Sequence, residues 1–400
     1  HHAYGEPAQG FGADYLIPRP FDPRLMLELA PAVAQAAMDT GVADRPIADM
    51  DAYRQRLSEF VFRSGFVMKP VFERARGDPK RVIFAEGEDW RVLRAAQVAL
   101  DENLARPILI GRPGVVQDRI QRLGLRIVVG TDVELVNPES DPRYGTYWRR
   151  YHEIMARKGV QPDLARTVVR TNTTVIAALA VELGDADAMI CGVEGIYGDH
   201  LEHVRHVIGR ADGVQDLSAM SVLVVPSGTY FLTDTYISGD PSPAEIVEMT
   251  RQAAAAVRSF GMTPKIALLS HANFGNADSP TAEKMREAVA RLHRYHPELE
   301  VEGEMHADAA LEPAIRERIF PGARLKGAAN LLVMPTLDSA NIAMNMVKSL
   351  GEGLPVGPLL LGARRPAHIL TPSVTARGVL NMTAVAVVDA QESAPVRAAG

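Results

Sequence analysis

The sequence has little cysteine. Cys191 is the single one among 400 residues, so neither an intrachain disulfide framework nor a zinc cluster built on cysteines can form. This scarcity fits a reducing compartment, and we expect a cytoplasmic protein. Long apolar runs are also missing, since none approaches the roughly 20 residues that cross a bilayer. The first residues lack a charged segment followed by an apolar core, so no secretory signal is indicated and we expect a soluble protein.

Positive charge is not in excess either. The 43 Lys and Arg residues are outnumbered by 49 Asp and Glu residues, for a net charge of −6, which argues against a broad basic surface for nucleic acid or an anionic membrane. A polyanionic ligand would therefore need a local basic pocket. There is no Walker A sequence and no Gly-x-Gly-x-x-Gly after a strand, so a P-loop or an ordinary dinucleotide site is not supported.

What the sequence does contain is an alternation of short apolar strands with helices. Strands are predicted at 81–85, 107–110, 125–129 and 188–191, and then at 219–225, 229–232, 265–269, 301–305, 331–334 and 359–361. Helices are predicted at 90–104, between 147 and 183, and at 243–260, 282–296, 339–350 and 375–388. This alternation indicates parallel β-α-β units. We expect two α/β lobes with an interdomain cleft, which is where ligands usually bind.

The region before the first lobe has helices and no strands. One helix is predicted from Pro23 to Val42, with Asp22 as its cap, and a second at 48–62. Two helices cannot form an α/β layer, so we interpret this part as a linker. The predicted divisions are a tag remnant at 1–2, a neighbour's tail and linker helices at 3–78, lobe 1 at 79–212 plus 364–392, and lobe 2 at 213–363.

Two further patterns have simpler explanations than a site. Glu302, Glu304, His306 and Asp308 alternate along a predicted strand and the turn after it, which suggests metal ligands, but a solvated strand face is the commoner cause. His200, His203 and His206 are spaced along one helix among charged residues, which favours a solvated helix face. The loop 270–276 is polar and glycine-containing at a strand end, where an anion site and an ordinary loop are equally supported.

Several segments together resemble the phosphate acetyltransferase family, which transfers an acetyl group between phosphate and coenzyme A. They lie at 81–88, 157–159, 170–174, 184–189, 302–304 with 308–310, 326–330, 339–342 and 357–362. The resemblance implies a two-domain α/β fold of the isocitrate–isopropylmalate dehydrogenase-like kind and a homodimer or higher homo-oligomer. Segments 11–25 and 30–37 resemble the end of the malic-enzyme domain in large bacterial hybrid NADP-dependent malic enzymes, which carry an acetyltransferase-like domain at their C-terminus. Loop 270–276 also looks like the version found in those hybrid enzymes.

The sequence departs from the acetyltransferase pattern at the family's catalytic positions. The arginine of the family's Leu-Ser-Arg-Gly motif falls on Pro372, and the aspartate that acts on the coenzyme A thiol falls on Gly378. The two other phosphate-site arginines align near Glu202 and Met155. Phosphate and a developing oxyanion need guanidinium groups in a fixed fork, and a thiol needs a base or a positive field. The resemblance therefore implies a chain without catalytic residues.

Loss of those residues leaves the acyl-CoA cleft itself available, and the resemblance implies that it senses acetyl-CoA, an inhibitor of the hybrid malic enzymes. Thr371 and Ser373 are candidates for the pantetheine or acetyl end. The remaining candidates are Lys326, Arg364 and Arg365 for the phosphates, Asn341 and Ser349 on the neighbouring helix, and His271 and Asn273 in the polar loop. We expect no metal and no cofactor in this chain, with NADP and Mg or Mn in the malic-enzyme domain of the same polypeptide.

The leading hypothesis is thus a catalytically inert, acyl-CoA-sensing regulatory and oligomerisation module of an NADP-dependent malic enzyme. Two alternatives stay open. The first is an active phosphate acetyltransferase that recruits Arg149, Arg150 or Arg377 into the phosphate site. The second is a purely structural dimerisation domain without a ligand.

Overall fold

The protein is described here by a computed structural model that covers residues 25–393, with the backbone alone at 59–66. The described part of the chain begins with a π-helical turn, Leu25–Leu29, followed by α1 (Ala30–Asp39) and α2 (Met50–Gly77). The cap predicted at Asp22 lies outside the described residues. No helix within the described range is both long and apolar enough to cross a membrane.

Helix α2 is much longer than the predicted segment 48–62. It starts where Asp49 accepts hydrogen bonds from the backbone N–H groups of Asp51 and Ala52, and it continues through Pro70 to Gly77. Its C-terminal half is part of the core, because Val71 and Ala75 are fully buried and the helix packs against the last helix of the chain. Tertiary packing therefore stabilises a helix that runs beyond the predicted end and through Pro70, a residue that disfavours a helix interior.

Lobe 1 contains a five-stranded parallel sheet in the order β11-β4-β1-β2-β3. Its elements before the crossover to lobe 2 are β1 (Lys80–Phe84), α3 (Trp90–Asp101), β2 (Ala105–Ile110), α4 (Pro113–Arg122), β3 (Glu134–Val136), α5 (Tyr144–Met155), α6 (Pro162–Thr171), α7 (Thr173–Leu183), β4 (Ala188–Cys191) and α8 (Tyr197–Val207). A 3₁₀ turn, Ala156–Lys158, follows α5. Every residue of β4, the interior strand between β11 and β1, is buried, as expected for a sheet covered on both faces.

Lobe 2 contains a six-stranded mixed sheet in the order β10-β5-β6-β9-β7-β8. Its elements are β5 (Ser218–Val225), β6 (Gly228–Thr233), α9 (Pro243–Ser259), β7 (Ile266–Leu269), α10 (Pro280–Tyr295), β8 (Val301–Met305), α11 (Ala307–Leu311), α12 (Pro313–Ile319), β9 (Leu331–Val333), α13 (Leu337–Leu350) and β10 (Leu354–Leu361). β5 runs antiparallel to β6 and β10, and the remaining pairs are parallel. The chain then returns to lobe 1 through β11 (Ala367–Ile369) and α14 (Ala376–Glu392).

Two short elements correct the sequence prediction. The strand predicted at 125–129 is wrong, because only Val129 makes a bridge there, to Val133. The chain instead pairs with β2 through β3, a three-residue edge strand whose polar start hid it from the pattern. The segment predicted as a loop after residue 361 contains β11, where buried His368 accepts from the backbone N–H of Leu360 and pairs with Asp389 at 2.8 Å.

The alternating carboxylates of β8 also differ from the prediction. Glu302 and Glu304 are buried, with 4% and 1% of their surfaces exposed, and do not form a solvated strand face. Glu302 accepts from the backbone N–H of Arg324 at 2.7 Å, and Glu304 pairs with Arg286 at 3.1 Å. Within the described residues no cluster of three or more His, Cys, Asp or Glu side chains could hold a metal ion. These carboxylates therefore tie loops to the end of the sheet.

Candidate binding cleft between the lobes

A cleft lies between the lobes at the carboxyl ends of the lobe 1 strands. Its lobe 2 wall is formed by β10 and the C-terminal half of α13, and its lobe 1 wall by the loop after β11 and the first turns of α14. The lining residues are Ser221, Tyr236, Met344, Lys348, Leu354, Pro355, Val356, Gly357, Pro358, Thr371, Ser373, Val374, Thr375, Arg377, Gly378 and Asn381. Two candidates from the sequence, Thr371 and Ser373, are thus brought together here, with their hydroxyl oxygens 3.1 Å apart.

The loop 371–375 is held in place by one arginine from α3. Arg91 donates from NH1 to the carbonyl of Pro372 at 2.7 Å and from NH2 to the carbonyl of Val193 at 2.9 Å. Asp89 fixes the guanidinium through a two-point ion pair. Burial acts to raise the pKa of Asp89, but the hydrogen bonds from Arg91 and its positive charge, together with a backbone hydrogen bond from Val92, outweigh it and hold that pKa below its usual value. This arginine therefore connects the ends of β1 and β4 to the cleft loop.

The start of α14 has its own restraints. Thr375 caps the helix by accepting from the N–H of Gly378 at 3.1 Å. A Cβ at Gly378 would come within 2.7 Å of Val374 Cγ2, so the absence of a side chain lets Val374 pack against the first turn of α14. Pro372, the other degenerate position of this segment, offers only its carbonyl, which faces Arg91. Neither position supplies a guanidinium or a carboxylate.

Two cations in the cleft were not among the sequence candidates for the coenzyme A phosphates, although Arg377 was considered for the phosphate site of an active acetyltransferase. Lys348 lies on α13, and Arg377 lies in the first turn of α14. The signal for Lys348 is present in the sequence, because Asn341, Met344 and Lys348 are spaced along one face of a helix. Ser349 is the next residue, and it is exposed outside the lining of the cleft.

Asn341 acts on the cleft through the loop after β6. Its side-chain amide donates to the carbonyl of Thr235 at 3.1 Å. The same loop is held by buried Asp234, whose Oδ1 accepts from the N–H groups of Tyr236 and Ile237. Burial raises the pKa of Asp234 although these hydrogen bonds favour the charged form. The result is a fixed position for Tyr236 at the cleft wall.

The other basic candidates lie outside the cleft. Lys326 is at the amino ends of β7 and β8, where its N–H donates to Glu300 and its carbonyl accepts from Lys265. Arg364 forms an ion pair with Glu182 at 2.6 Å, a carboxylate that it shares with Arg150. Arg365 follows Arg364 and is half-buried. The structure does not bring these three residues together with Thr371.

The polar loop 270–276 is also separate from the cleft lining. It covers the carboxyl ends of β7 and β8, where Asn273 accepts from the N–H of His306 at 2.8 Å. His271 lies near the start of α10, with its ring nitrogen 3.2 Å from the Ser279 hydroxyl. Phe274 stacks on Phe320 with ring centroids 4.6 Å apart. These contacts describe a loop closed on its own neighbours.

The remaining degenerate positions lie in α5 and α8. Met155 is buried in the lobe 1 core, whereas Glu202 is exposed and lies 3.9 Å from His206. The histidines of α8 are half-buried, unlike the fully solvated face predicted from sequence. His200 uses both ring nitrogens, one with the Thr174 hydroxyl at 2.8 Å and the other with the Glu194 carbonyl at 2.7 Å. Because a carbonyl can only accept, the Nε2 atom of His200 donates to Glu194, and His200 thus links α7 to the loop before α8.

The chemistry of the cleft favours binding over group transfer. Its lining combines two cations, several hydroxyl groups and an apolar wall from Met344 to Pro358, and none of the described lining residues is a carboxylate. A thiol with an ordinary pKa near 8.5 has no base in such a cleft. The arrangement suits a long ligand with anionic and apolar parts.

Comparison with known proteins gives four informative matches. The family described as phosphate acetyl/butaryl transferase matches residues 66–387. A NAD-dependent malic enzyme from Rhizobium meliloti is 57% identical over 97% of this chain and 50% of its own length, and a NADP-dependent malic enzyme from Salmonella typhimurium is 51% identical over 97% and 51%. A phosphotransacetylase structure from Streptococcus pyogenes superimposes with a TM-score of 0.76 at 27% identity, covering 82% of this chain and 98% of that one. The chain thus spans about half the length of the curated relatives it matches.

Proposed function

This chain belongs to the phosphate acetyl/butaryl transferase family. Because none of the described residues that line its cleft is a carboxylate that could act as a base, we propose that it binds acetyl-CoA without transferring the acetyl group. The observation that carries the proposal is the cleft lining, in which Lys348 and Arg377 accompany the Thr371 and Ser373 hydroxyls and no carboxylate. Cations suit the phosphates of coenzyme A, and the apolar wall suits its pantetheine arm.

The biological role that we propose is regulation of a malic enzyme. The relatives that share about half of the sequence are named as malic enzymes, and the chain accounts for about half of their length. The other half would oxidise malate to pyruvate and CO₂ with NADP and a divalent metal. In this proposal the metal and NADP are held by the rest of the polypeptide.

Helix α2 is the mechanical connection in this proposal. Its first half carries the exposed residues next to α1, and its second half is buried against α14. Arg76 pairs with Glu102 at 2.7 Å, and Arg74 pairs with Glu392 at 2.6 Å. Pro70 lies against Gly261 of lobe 2, where an added Cβ would approach its ring to 3.2 Å. A change in the angle between the lobes would therefore move α2 and, with it, the segment before residue 50.

A second copy of this chain is the partner that we propose for the outer face of α13. Ile342, Met346 and Leu350 are exposed there, Leu350 by 79%. Beside Leu350 lies an apolar hollow lined by Tyr230 and Leu332. One patch thus offers both a projecting side chain and a recess, which a two-fold interface requires because the same surface occurs on both subunits.

Titration calorimetry of the protein with acetyl-CoA tests the proposed function. We expect saturable binding, and at about 100 times Kd the ligand should raise the free energy of unfolding by about 2.7 kcal/mol. A coupled assay for acetyl phosphate should give no turnover above the control without protein. Turnover would favour the active acetyltransferase, and the absence of binding at millimolar acetyl-CoA would favour the structural dimerisation domain.

A further inference from the structure

Asn381 has an unusual position on α14. Its side chain lines the cleft with 3% of its surface exposed, and its Oδ1 atom is buried without a hydrogen bond from any described residue. Buried amide oxygens are almost always paired, because the loss of water is not otherwise compensated. An unpaired acceptor at the wall of an open cleft therefore indicates a donor that comes from outside the chain.

The neighbours of Asn381 are satisfied within the fold. On the same helix, the hydroxyl of Thr383 donates to the Val379 carbonyl at 2.8 Å. Across the cleft, the Ser221 hydroxyl lies 2.8 Å from the Thr235 hydroxyl. Neither group reaches the Asn381 oxygen, so the fold completes its other buried polar contacts here and leaves this one open.

The surroundings define the kind of donor. Arg377 lies one helical turn before Asn381 on the same face of α14, and Lys348 lines the opposite wall. Two cations disfavour a positively charged donor, so a neutral N–H or O–H group fits best. Gly378 lines the same part of the cleft, and Val374 packs against it. The lining beside Asn381 therefore combines two cations with small and apolar groups, which matches a ligand that carries a neutral amide between its anionic and apolar parts.

We propose that Asn381 accepts a hydrogen bond from an amide N–H of the pantetheine arm of a bound acyl-CoA. This inference rests on the proposed function and adds a specificity-determining residue to it. An acyl phosphate or a free anion has no such N–H group, so Asn381 distinguishes pantetheine thioesters from the smaller anions that Lys348 and Arg377 alone would attract.

The first test is Asn381→Leu, which keeps the approximate volume and removes the polar group. Calorimetry with acetyl-CoA should show affinity about tenfold weaker, whereas urea unfolding of the ligand-free protein should show unchanged or higher stability because an unpaired buried group is removed. Thr383→Val is the matched control on the same helix, and its affinity should equal that of the wild type. If Asn381→Leu binds acetyl-CoA with the affinity of the wild type, the inference about Asn381 is overturned. The proposed function still stands in that case, because the wild type binds acetyl-CoA.

A second test uses the unaltered protein, so that poor folding of a variant cannot decide the matter. Two acetyl-CoA analogues are compared with acetyl-CoA, each with one pantetheine amide nitrogen replaced by an ester oxygen. One analogue should bind to the wild type about tenfold more weakly than acetyl-CoA does. The same analogue should bind to Asn381→Leu with the same affinity as acetyl-CoA. Equal binding of both analogues to the wild type would mean that Asn381 pairs with water, which overturns the inference. No binding of acetyl-CoA at all would overturn the proposed function and this inference with it.

Discussion

Tyr197 of lobe 1 stacks on Tyr236 of lobe 2, with ring centroids 4.9 Å apart and ring planes inclined by 28°. The two rings join the start of α8 to the wall of the cleft, so they connect the lobes at the point where a ligand would lie. The Tyr197 hydroxyl is buried without a partner in the described residues, and burial raises the pKa of this phenol well above its ordinary value.

Removal of that hydroxyl should not weaken the fold. Tyr197→Phe keeps the stacked ring and removes an unpaired polar atom, so we expect a free energy of unfolding equal to that of the wild type or up to about 1 kcal/mol higher. Tyr147→Phe is the control, because the Tyr147 hydroxyl donates to Asp185 at 2.7 Å and its loss should cost about 1–2 kcal/mol. Urea unfolding measures both, and equal losses in the two variants would contradict the prediction.

Arg91 should determine the affinity of the cleft without touching the ligand. Arg91→Lys cannot reproduce the fork that holds Pro372 and Val193, so the loop 371–375 should lose its fixed position and acetyl-CoA should bind at least about tenfold more weakly. Arg94→Lys, on the same helix and next to the Trp90 ring, is the matched control and should bind normally. Calorimetry at fixed ionic strength decides, with far-ultraviolet dichroism to verify folding. Normal binding by Arg91→Lys would contradict the positioning role.

Substitutions can decide whether the coenzyme A phosphates bind to Lys348 and Arg377 in the cleft or to Lys326. Lys348→Ala and Arg377→Ala should each weaken acetyl-CoA binding at least about tenfold, since a hydrogen bond to a charged group contributes about 1.5–3 kcal/mol. Lys326→Ala should leave binding unchanged, because this residue lies at the other edge of the lobe 2 sheet. The losses should also shrink in high salt. A larger effect of Lys326→Ala than of Lys348→Ala would return the phosphates to the site chosen from the sequence.

Glu86 should make the stability of lobe 1 depend on pH near neutrality. Burial raises the pKa of Glu86 to about 7, while its Oε1 accepts from the Gly192 N–H at 3.0 Å and its Oε2 is unpaired among the described residues. The folded state therefore holds a proton that the unfolded chain has lost above about pH 4.5, so stability falls as the pH rises from about 4.5 to 7. Arg91, Glu194 and Cys191 are its ionisable neighbours.

The variant Glu86→Gln isolates this contribution. It should be more stable than the wild type at pH 8, by at most about 3 kcal/mol, and the difference should shrink at pH 5.5. Glu88→Gln is the control with the opposite sign. The Arg112 hydrogen bond holds the pKa of Glu88 below its usual value, so its loss should destabilise the fold equally at both pH values. Urea unfolding at pH 5.5 and 8 measures these differences, and a pH-independent effect of Glu86→Gln would contradict the prediction.

The apolar face of α13 gives a prediction about assembly. Leu350→Glu places a charge on a side chain that is 79% exposed, so the folded monomer should tolerate it while an interface between two copies should not. Sedimentation velocity should show a smaller species for this variant than for the wild type. Val128→Glu, at a site 54% exposed in lobe 1, is the control and should sediment like the wild type.

The fold could be predicted from the sequence because its strands are apolar, short and regularly separated by helices. The errors occur where the local pattern and the tertiary partners disagree. Residues 125–129 have the composition of a strand but no neighbouring strand beyond one bridge at Val129. Glu302 and Glu304 alternate like solvated residues, yet the Arg324 backbone and the Arg286 guanidinium come from distant segments to pair with them. Such partners cannot be read from the strand itself.

The candidate site could be predicted in part for the same reason. Thr371 and Ser373 lie in one loop, so a single motif located both of them. Lys348 and Arg377 reach the cleft from two helices in different lobes, and only the packing of the lobes brings them together. Lys326 and Lys348 are both positively charged, and Lys326 lies in the more recognisable local motif. Neither charge nor motif determines on which edge of a sheet a loop lies.

The continuity of α2 has a geometric consequence for anything attached before it. The helix is unbroken from Met50 to Gly77, with its far end fixed by Arg74, Arg76 and the buried apolar residues. Each residue inserted near Tyr53 would rotate the preceding chain by about 100° and advance it by about 1.5 Å, without altering the lobes. The rotational orientation of an attached enzyme domain about the helix axis, relative to the cleft, would thus depend on the length of α2. In a series of insertions, the original orientation would return after about every seventh residue.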